Sequence, residues 1–265
     1  MRYHWCFVLI WPVCQAVAAV EVPLTVVRGF PLVRVSVGGG PPHLFLLDTG
    51  AASTLVDPAL ATTAEWIHSG EVEVVTATGK SAAPMVRVDL EMAGVAFGPV
   101  DAVRADLAAV RRVDRRIRGI LGQNVLQRMN YVLDLDARRL LIEEAGDLEA
   151  ELSGPRQTVE WIRGRPAIRI QGMRLVLDTG ASHIVLFRPG TGVGGTMHTV
   201  NGAGGISLQK RGQTRFSDVA VLAGRQPGRV EDGLLPASVL GPIYVNNVLS
   251  YVVFIRDLPR VSARE

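Results

Sequence analysis

The stretch LFLLDTGAAST (residues 44–54) is a run of apolar residues that ends at an acid. Its opening residues predict a buried strand, because short apolar runs bounded by turn residues are typical of strands in a core. Asp48 follows that strand directly, ahead of Thr49 and Gly50. A lone carboxylate is costly to bury unless it is paired or hydrogen-bonded. The sequence therefore predicts a partner for Asp48.

A second copy of this stretch supplies the partner. RLVLDTGASH (174–183) repeats LFLLDTGAAS (44–53), and Asp178 stands in the place of Asp48. A specified Asp-Thr-Gly occurs by chance on the order of once in several thousand positions, so two copies behind apolar strands indicate a repeat. Further segments match in the same order: 28–35 with 163–170, 97–103 with 216–222, and 119–126 with 233–240. The chain is therefore interpreted as a duplicated unit.

Most of each unit is predicted to be strand. PMVRVDLEM (84–92) alternates apolar and polar residues, as a half-buried strand should. Each half is expected to close with one apolar strand, at 131–142 and at 246–255. Short helices are predicted only after Asn124 and after Ala237. The predicted fold class is all-β.

The two Asp-Thr-Gly-Ala motifs resemble those of the aspartic peptidases of the pepsin and retropepsin group, in the single-chain form of bacterial aspartyl proteases. The resemblance covers roughly residues 24 to 256 and occurs twice. It implies two homologous β-barrel lobes with the active site at their junction. The expected divisions are a leader at 1–19, an N-terminal lobe at 22–146, a linker at 147–157 and a C-terminal lobe at 158–258.

The resemblance makes Asp48 and Asp178 the catalytic pair. Two carboxylates at contact distance cannot both ionise, so the pair holds one proton between them. The ionised member would act as general base toward a water, and the protonated member would donate to the scissile carbonyl oxygen. The apparent pKa values belong to the pair, so acid and base are not assigned individually.

The neighbours of the two aspartates have implied supporting roles. Thr49 and Thr179 are expected to hydrogen-bond to each other's loops. Gly50 and Gly180 allow tight turns that bring N–H groups near the carboxylates. The next residue in each copy is alanine, where pepsin-like enzymes usually carry Ser or Thr. Without that hydroxyl to stabilise the charged carboxylate, the expected activity lies at mildly acidic or neutral pH.

Substrate-binding flaps are expected from two glycine-bearing turns that would exclude water from the site. The first is TATGK (76–80) and the second is VNGAGG (200–205). The flap residues they predict are Ala77, Thr78, Gly79, Asn201, Gly202 and Ala203. Neither turn has the tyrosine of the pepsin flap, which favours the retropepsin-like type. Ordinary hairpin turns are the alternative.

One position breaks the repeat. The first half reads Ile120-Leu121-Gly122, which fits the family element that passes behind the active-site loop. The second half has Pro236 in place of the glycine. Proline fixes φ and removes an N–H donor, so the packing at this point should differ between the halves.

The N-terminal segment MRYHWCFVLIWPVCQAVAAV resembles a secretory signal, with small residues near a cleavage site at about Ala18 or Ala19. An uncleaved membrane anchor is the alternative. Both cysteines lie in this segment, so thiol catalysis is not expected from the mature protein. The predicted location is exported, either periplasmic or envelope-associated, with secretion also open.

Other classes of function find little support in the sequence. The net charge is +3, with 26 arginines against two lysines, and there is no nucleic-acid motif. The five histidines lack metal-ligand spacing, so neither metal nor organic cofactor is predicted. The expected protein is a monomeric aspartic endopeptidase acting on a polypeptide substrate. A catalytically silent peptide-binding or scaffold protein of the same fold, and a structural envelope protein, are the alternatives.

Overall fold

The structure is a computed structural model that describes most of the chain. The described residues are 19–62, 66–75, 80–143, 148–149, 152–188, 195–200, 207–210, 213–216, 219–224, 229–236, 239 and 241–255. The six predicted flap residues, namely Ala77, Thr78, Gly79, Asn201, Gly202 and Ala203, lie outside the described residues. So does the leader up to residue 18.

Strands dominate the described residues, which confirms the all-β fold class. The first half contains β1 (Ala19–Pro23), β2 (Thr25–Val27), β3 (Phe30–Val37), β4 (Pro42–Leu47), β5 (Leu55–Val56), β6 (Ile67–Val75), β7 (Lys80–Met92), β8 (Val95–Arg104), β9 (Ile117–Leu121), β10 (Tyr131–Asp134) and β11 (Arg139–Glu143). It also contains 3-10 turns at Pro58–Thr62 and Val110–Arg112 and the one-turn helix α1 (Gln123–Leu126). The predicted short helix therefore begins one residue before Asn124.

The second half adds twelve strands among the described residues. They are β12 (Arg156–Thr158), β13 (Glu160–Ile162), β14 (Arg165–Ile170), β15 (Met173–Leu177), β16 (Ile184–Arg188), β17 (Gly195–Val200), β18 (Ser207–Lys210), β19 (Gln213–Phe216), β20 (Val219–Gly224), β21 (Gly233–Leu235), β22 (Ile243–Asn246) and β23 (Tyr251–Phe254). The helix predicted after Ala237 is not tested, because positions 237, 238 and 240 lie outside the described residues.

The two halves place their Asp-Thr-Gly loops by the same strand connection. In the first half, β4 runs parallel to β9, while β5 pairs with β9 antiparallel and with β8 parallel. In the second half, β15 runs parallel to β21, while β16 pairs with β21 antiparallel and with β20 parallel. In each half the chain leaves one strand (β4 or β15), forms the Asp-Thr-Gly loop, and continues into the next strand (β5 or β16). A later strand (β9 or β21) lies between these two in the sheet.

The predicted strand at 84–92 is confirmed within β7. Val86, Val88, Leu90 and Met92 are buried, while the residues between them are exposed. This alternation places one face of β7 on the core and the other in water.

The single closing strand predicted at 131–142 is wrong, because the chain turns within it and forms the β10–β11 hairpin. The one predicted at 246–255 is confirmed only over β23, since the residues before it form the turn of the β22–β23 hairpin. In the first half, the chain turns between β10 and β11, where Asp134 Oδ1 accepts a hydrogen bond from the Ala137 N–H at 3.0 Å. In the second half, Asn246 Oδ1 accepts from the Leu249 N–H at 2.8 Å between β22 and β23. Asp and Asn side chains favour such turns because they can replace a backbone acceptor.

These two hairpins join the halves into one six-stranded sheet. Its order is β1-β11-β10-β22-β23-β12, so each half supplies three neighbouring strands. The seam is the antiparallel pair β10–β22, with Val132 opposite Tyr244. The largest core cluster also contains residues of both halves, including Phe45, Leu121, Ile168 and Leu235. The halves are therefore connected by hydrogen bonds and by apolar packing.

Among the described residues, no helix has the length and apolar character needed to cross a membrane.

Candidate active site

The two aspartates lie at the ends of equivalent parallel strand pairs. The Asp48 N–H donates to Leu121 O at 3.0 Å, which continues the β4–β9 ladder by one residue. The Asp178 N–H donates to Leu235 O at 2.9 Å and continues the β15–β21 ladder in the same way. Each ladder fixes the backbone at the aspartate, so that the side chain leaves the strand end in a defined direction.

Reciprocal threonine hydrogen bonds hold the two loops together. The Thr49 N–H donates to Thr179 Oγ1 at 2.9 Å, and the Thr179 N–H donates to Thr49 Oγ1 at 3.1 Å. Each hydroxyl then donates to the strand of the other half: Thr49 Oγ1 to Leu177 O at 2.8 Å, and Thr179 Oγ1 to Leu47 O. Both threonines are 2% exposed, so these bonds are shielded from water.

Each glycine of the motif packs against the aspartate of the other half. The Gly50 N–H donates to Asp48 Oδ1 at 2.9 Å, and the Gly180 N–H donates to Asp178 Oδ1 at 2.8 Å. A Cβ at Gly180 would lie 2.5 Å from Asp48 Oδ2, and one at Gly50 would lie 2.5 Å from Asp178 Oδ1. Only glycine leaves room for the carboxyl groups to approach across the junction.

The carboxyl groups of Asp48 and Asp178 approach each other across the junction, each beside the motif glycine of the other half. Burial raises the pKa of Asp48, although the Gly50 N–H and the hydrogen bond to Asp178 oppose that rise. Burial also raises the pKa of Asp178, and the negative charge of Asp48 raises it further, to well above the ordinary value. Because one carboxyl group holds its proton more firmly than an ordinary aspartate, the pair can carry one negative charge and one proton together.

Gln123 supports the first loop, and sequence reasoning missed it. Its Nε2 donates to Thr49 O at 2.9 Å, and the side chain is 1% exposed. The corresponding residue of the second half is Ala237, which lies outside the described residues. The mismatch between glutamine and alanine in the repeat was the only signal in the sequence.

The break at Pro236 has a structural compensation. In the first half, the Gly122 N–H donates to Thr54 Oγ1 at 3.1 Å, and this hydroxyl donates to Asn124 Oδ1 at 2.8 Å. In the second half, Ile184 takes the place of Thr54 and Pro236 takes the place of Gly122. The second half therefore lacks both the N–H donor of Gly122 and the hydroxyl acceptor of Thr54. Replacing both partners of a buried hydrogen bond by apolar groups costs little stability.

A cleft of about 400 Å³ begins beside the Asp48 loop. Its lining comes from the residues that follow the aspartate, from β5, β6 and β8, and from the second half. The lining residues are Gly50, Ala51, Ala52, Ser53, Leu55, Val72, Glu73, Val74, Val103, Arg163, Arg165, Arg229 and Glu231. The cleft reaches the carboxyl pair at Gly50, which packs against the carboxyl group of Asp178.

The described parts of the predicted flaps are the strands on either side of them. β6 and β7 pair antiparallel as far as Val75 opposite Lys80, so residues 76–79 connect two paired strands. The segment 201–206 connects β17 to β18, and these two strands pair with β20 and β19 respectively.

Among the described residues, no group of three or more His, Cys, Asp or Glu side chains is arranged to hold a metal ion.

Part of the chain is similar to a known protein family. Residues 33–125 match a family model described as aspartyl protease. The matched segment contains the first Asp-Thr-Gly loop and ends before the second. It supports an aspartyl protease of the retropepsin-like type, and the all-β fold is consistent with that class. No curated protein sequence matches the chain.

Proposed function

We propose that this protein is an aspartic endopeptidase that hydrolyses peptide bonds with a water molecule activated between Asp48 and Asp178. The observation that carries the proposal is the close approach of these two carboxyl groups across the junction, each packed against the motif glycine of the other half. The threonine hydrogen bonds and the glycine contacts both serve to keep the carboxyl groups together. The similarity to aspartyl proteases over residues 33–125 supports the same reaction class.

The proposed reaction needs one proton on the carboxyl pair at the start. The ionised carboxylate takes a proton from the water as the water oxygen bonds to the scissile carbonyl carbon. The protonated carboxyl group donates its proton to the carbonyl oxygen, which gives a neutral tetrahedral diol. The C–N bond then breaks as the protonated carboxyl group gives its proton to the leaving nitrogen and the ionised one takes a proton from a diol hydroxyl. The products are a carboxylic acid and an amine, and the pair again holds one proton. No covalent bond between enzyme and substrate forms.

The substrate is proposed to be an extended polypeptide that lies in the cleft next to the Asp48 loop. One chain supplies both aspartates, so a monomer is sufficient for the reaction. The alanines at 51 and 181 provide no hydroxyl to stabilise an ionised carboxylate, so activity is expected at mildly acidic to neutral pH. The leader-like N-terminus supports a protein exported to the periplasm or envelope.

Asp48→Asn and Asp178→Asn test the proposal on a diverse peptide library with mass-spectrometric detection of cleavage. Each variant keeps the size of the side chain and removes its ability to ionise. We expect about a 10²–10⁴-fold loss of kcat/KM in each, the range typical for loss of a catalytic acid–base group. Asp101→Asn is the matched control, since Asp101 is an exposed aspartate paired with Arg87.

Cleavage that persists in either dyad variant would reject the proposed mechanism. Absence of cleavage by the parent protein from about pH 3 to about pH 8, a range that spans ordinary carboxyl and histidine pKa values, would favour a silent peptide-binding or scaffold protein instead.

A further inference from the structure

The cleft beside the Asp48 loop carries charged side chains that the proposed reaction does not use. Arg163, Arg165, Arg229 and Glu231 line it from the second half, and Glu73 lines it from β6. Three cations and two anions line the cleft, so its lining has an excess of positive charge. An arginine that already pairs with a carboxylate of the protein is less available to a ligand than an unpaired one.

Two of the three arginines are held by one buried carboxylate. Glu231 Oε1 accepts from Arg165 Nη2 and from Arg229 Nη1, each at 2.9 Å. The Glu231 side chain is 2% exposed. Burial disfavours its charged form, but the hydrogen bond and charge of Arg165, together with backbone hydrogen bonds, outweigh burial, so the pKa of Glu231 is lowered. The arginines are thus fixed in place as parts of a buried ion cluster.

Arg163 is different, because it is exposed and has no hydrogen-bond or ion-pair partner among the described residues. It occupies the two-residue turn between β13 and β14, with φ of 51° at Arg163 and 73° at Gly164. A Cβ at Gly164 would lie 3.8 Å from the Cβ of Ala52, so this turn touches the chain that follows Asp48. The turn thus presents an unpaired guanidinium group at the cleft.

We propose that Arg163 binds an acidic side chain of the substrate, so that the enzyme prefers polypeptides with Asp or Glu near the scissile bond. This inference rests on the proposed function. A guanidinium group can donate two parallel hydrogen bonds to a carboxylate, which gives both strength and orientation. A basic side chain at the same place would meet the excess positive charge of Arg163, Arg165 and Arg229, which disfavours its binding. The cleft therefore selects by attraction of acidic residues and by repulsion of basic ones.

The repeat supplies a matched control residue. Arg28 occupies the equivalent turn of the first half, with φ of 52° followed by Gly29 at 85°. Its Nη1 lies 3.5 Å from Arg112 O, and Arg28 does not line this cleft. Arg28→Gln therefore removes the same charge from the same type of turn without changing the proposed binding site.

The experiment compares peptides that differ at one position, Glu against Gln against Lys, scanned along both sides of a cleaved bond. At the position that meets Arg163, we expect the parent to prefer Glu over Gln by about five- to tenfold in kcat/KM, as for a charge-assisted hydrogen bond at a part-exposed site. Arg163→Gln should reduce this ratio to about one, Arg163→Glu should shift the preference toward Lys, and Arg28→Gln should keep the parental ratio. Added salt should weaken the preference, because Arg163 is exposed.

Binding of the same peptides to Asp48→Asn, followed by fluorescence anisotropy, separates this inference from the proposed function. Arg163-dependent binding of Glu peptides without any cleavage by the parent would support the acidic-residue site and contradict the peptidase proposal. Cleavage with equal rates for Glu and Gln peptides at every position, or a preference that survives in Arg163→Gln, would overturn the inference and leave the peptidase proposal standing.

Discussion

At the scale of single residues, each of the two motif threonines uses its hydroxyl group twice. Thr179 Oγ1 accepts from the Thr49 N–H and donates to Leu47 O, and Thr49 Oγ1 makes the mirror-related pair of bonds. Serine could make the same bonds, but alanine or valine could not. The hydroxyl groups therefore explain why both copies of the motif need a hydroxyl residue between aspartate and glycine.

Thr179→Val should weaken both folding and catalysis. It leaves the Thr49 N–H and Leu47 O buried without partners, and each such loss costs roughly 1–3 kcal/mol. We expect the free energy of unfolding in denaturant to fall by about 2–4 kcal/mol. Because Thr179 positions the loops rather than touching the substrate, kcat should fall more than KM changes.

Thr25→Val is the control for this prediction, since Thr25 is an exposed residue of β2. It should change the free energy of unfolding by less than about 0.5 kcal/mol. Equal effects of the two substitutions would contradict the proposed role of Thr179.

At the scale of elements, the sequence repeat predicts the loop-bearing connections but not their closing hairpins. The apolar runs before Asp48 and Asp178 become β4 and β15, each parallel to a later strand. The closing segments contain Asp134 and Asn246, whose side chains stop the strands by accepting from the turn backbone. The sequence pattern did not predict these turns, because the apolar residues on either side of each turn are typical of one continuous strand.

Other parts of the candidate site depend on contacts between residues far apart in the sequence. The resemblance implied contact between Thr49 and Thr179, and the structure gives the reciprocal bonds between them. Gln123 was not predicted, because it supports Thr49 from 74 residues away and has no counterpart in the repeat. The cluster around Glu231 was also missed, since the spacing of its arginines follows no known motif.

The pair Thr54–Gly122 makes an element-scale prediction. Thr54→Val leaves the buried Gly122 N–H and Asn124 Oδ1 without the hydroxyl, so we expect a loss of about 2 kcal/mol in the free energy of unfolding. The reciprocal change, Ile184→Thr, should also destabilise the protein, because Pro236 has no N–H to offer the new hydroxyl.

Denaturant unfolding of both variants measures these effects, with the exposed Thr158→Val as a control. A gain in stability from Ile184→Thr would contradict the compensation between Ile184 and Pro236.

At the scale of the whole molecule, the two halves share a sheet as well as a candidate site. The β10–β22 seam pairs Tyr131 with Val245, Val132 with Tyr244 and Leu133 with Ile243. Domains that meet only through a small polar interface can move and unfold separately. Here the hydrogen-bonded seam and the common core cluster join the halves through their interiors.

We therefore expect the halves to unfold as one cooperative unit. Differential scanning calorimetry should give a single transition whose calorimetric and van't Hoff enthalpies agree. Val132→Ala, at the centre of the seam, should lower the midpoint of that transition without splitting it. Two resolved transitions in the parent protein would show that the seam does not couple the halves.

Asp48 and Asp178 are proposed to share one proton. The most direct measurement is ¹³C NMR of protein labelled at the aspartate carboxyl carbons, titrated from about pH 3 to about pH 8. We predict two resonances that respond to each other's ionisation, with one carboxyl group remaining protonated well above the ordinary aspartate pKa. Both resonances should be identified by their loss in Asp48→Asn and Asp178→Asn. Because the raised pKa favours the protonated folded state, the stability contributed by that proton should be lost as pH rises through the upper titration step. Two independent titrations at the ordinary aspartate pKa, unaffected by substitution of the other residue, would contradict the account.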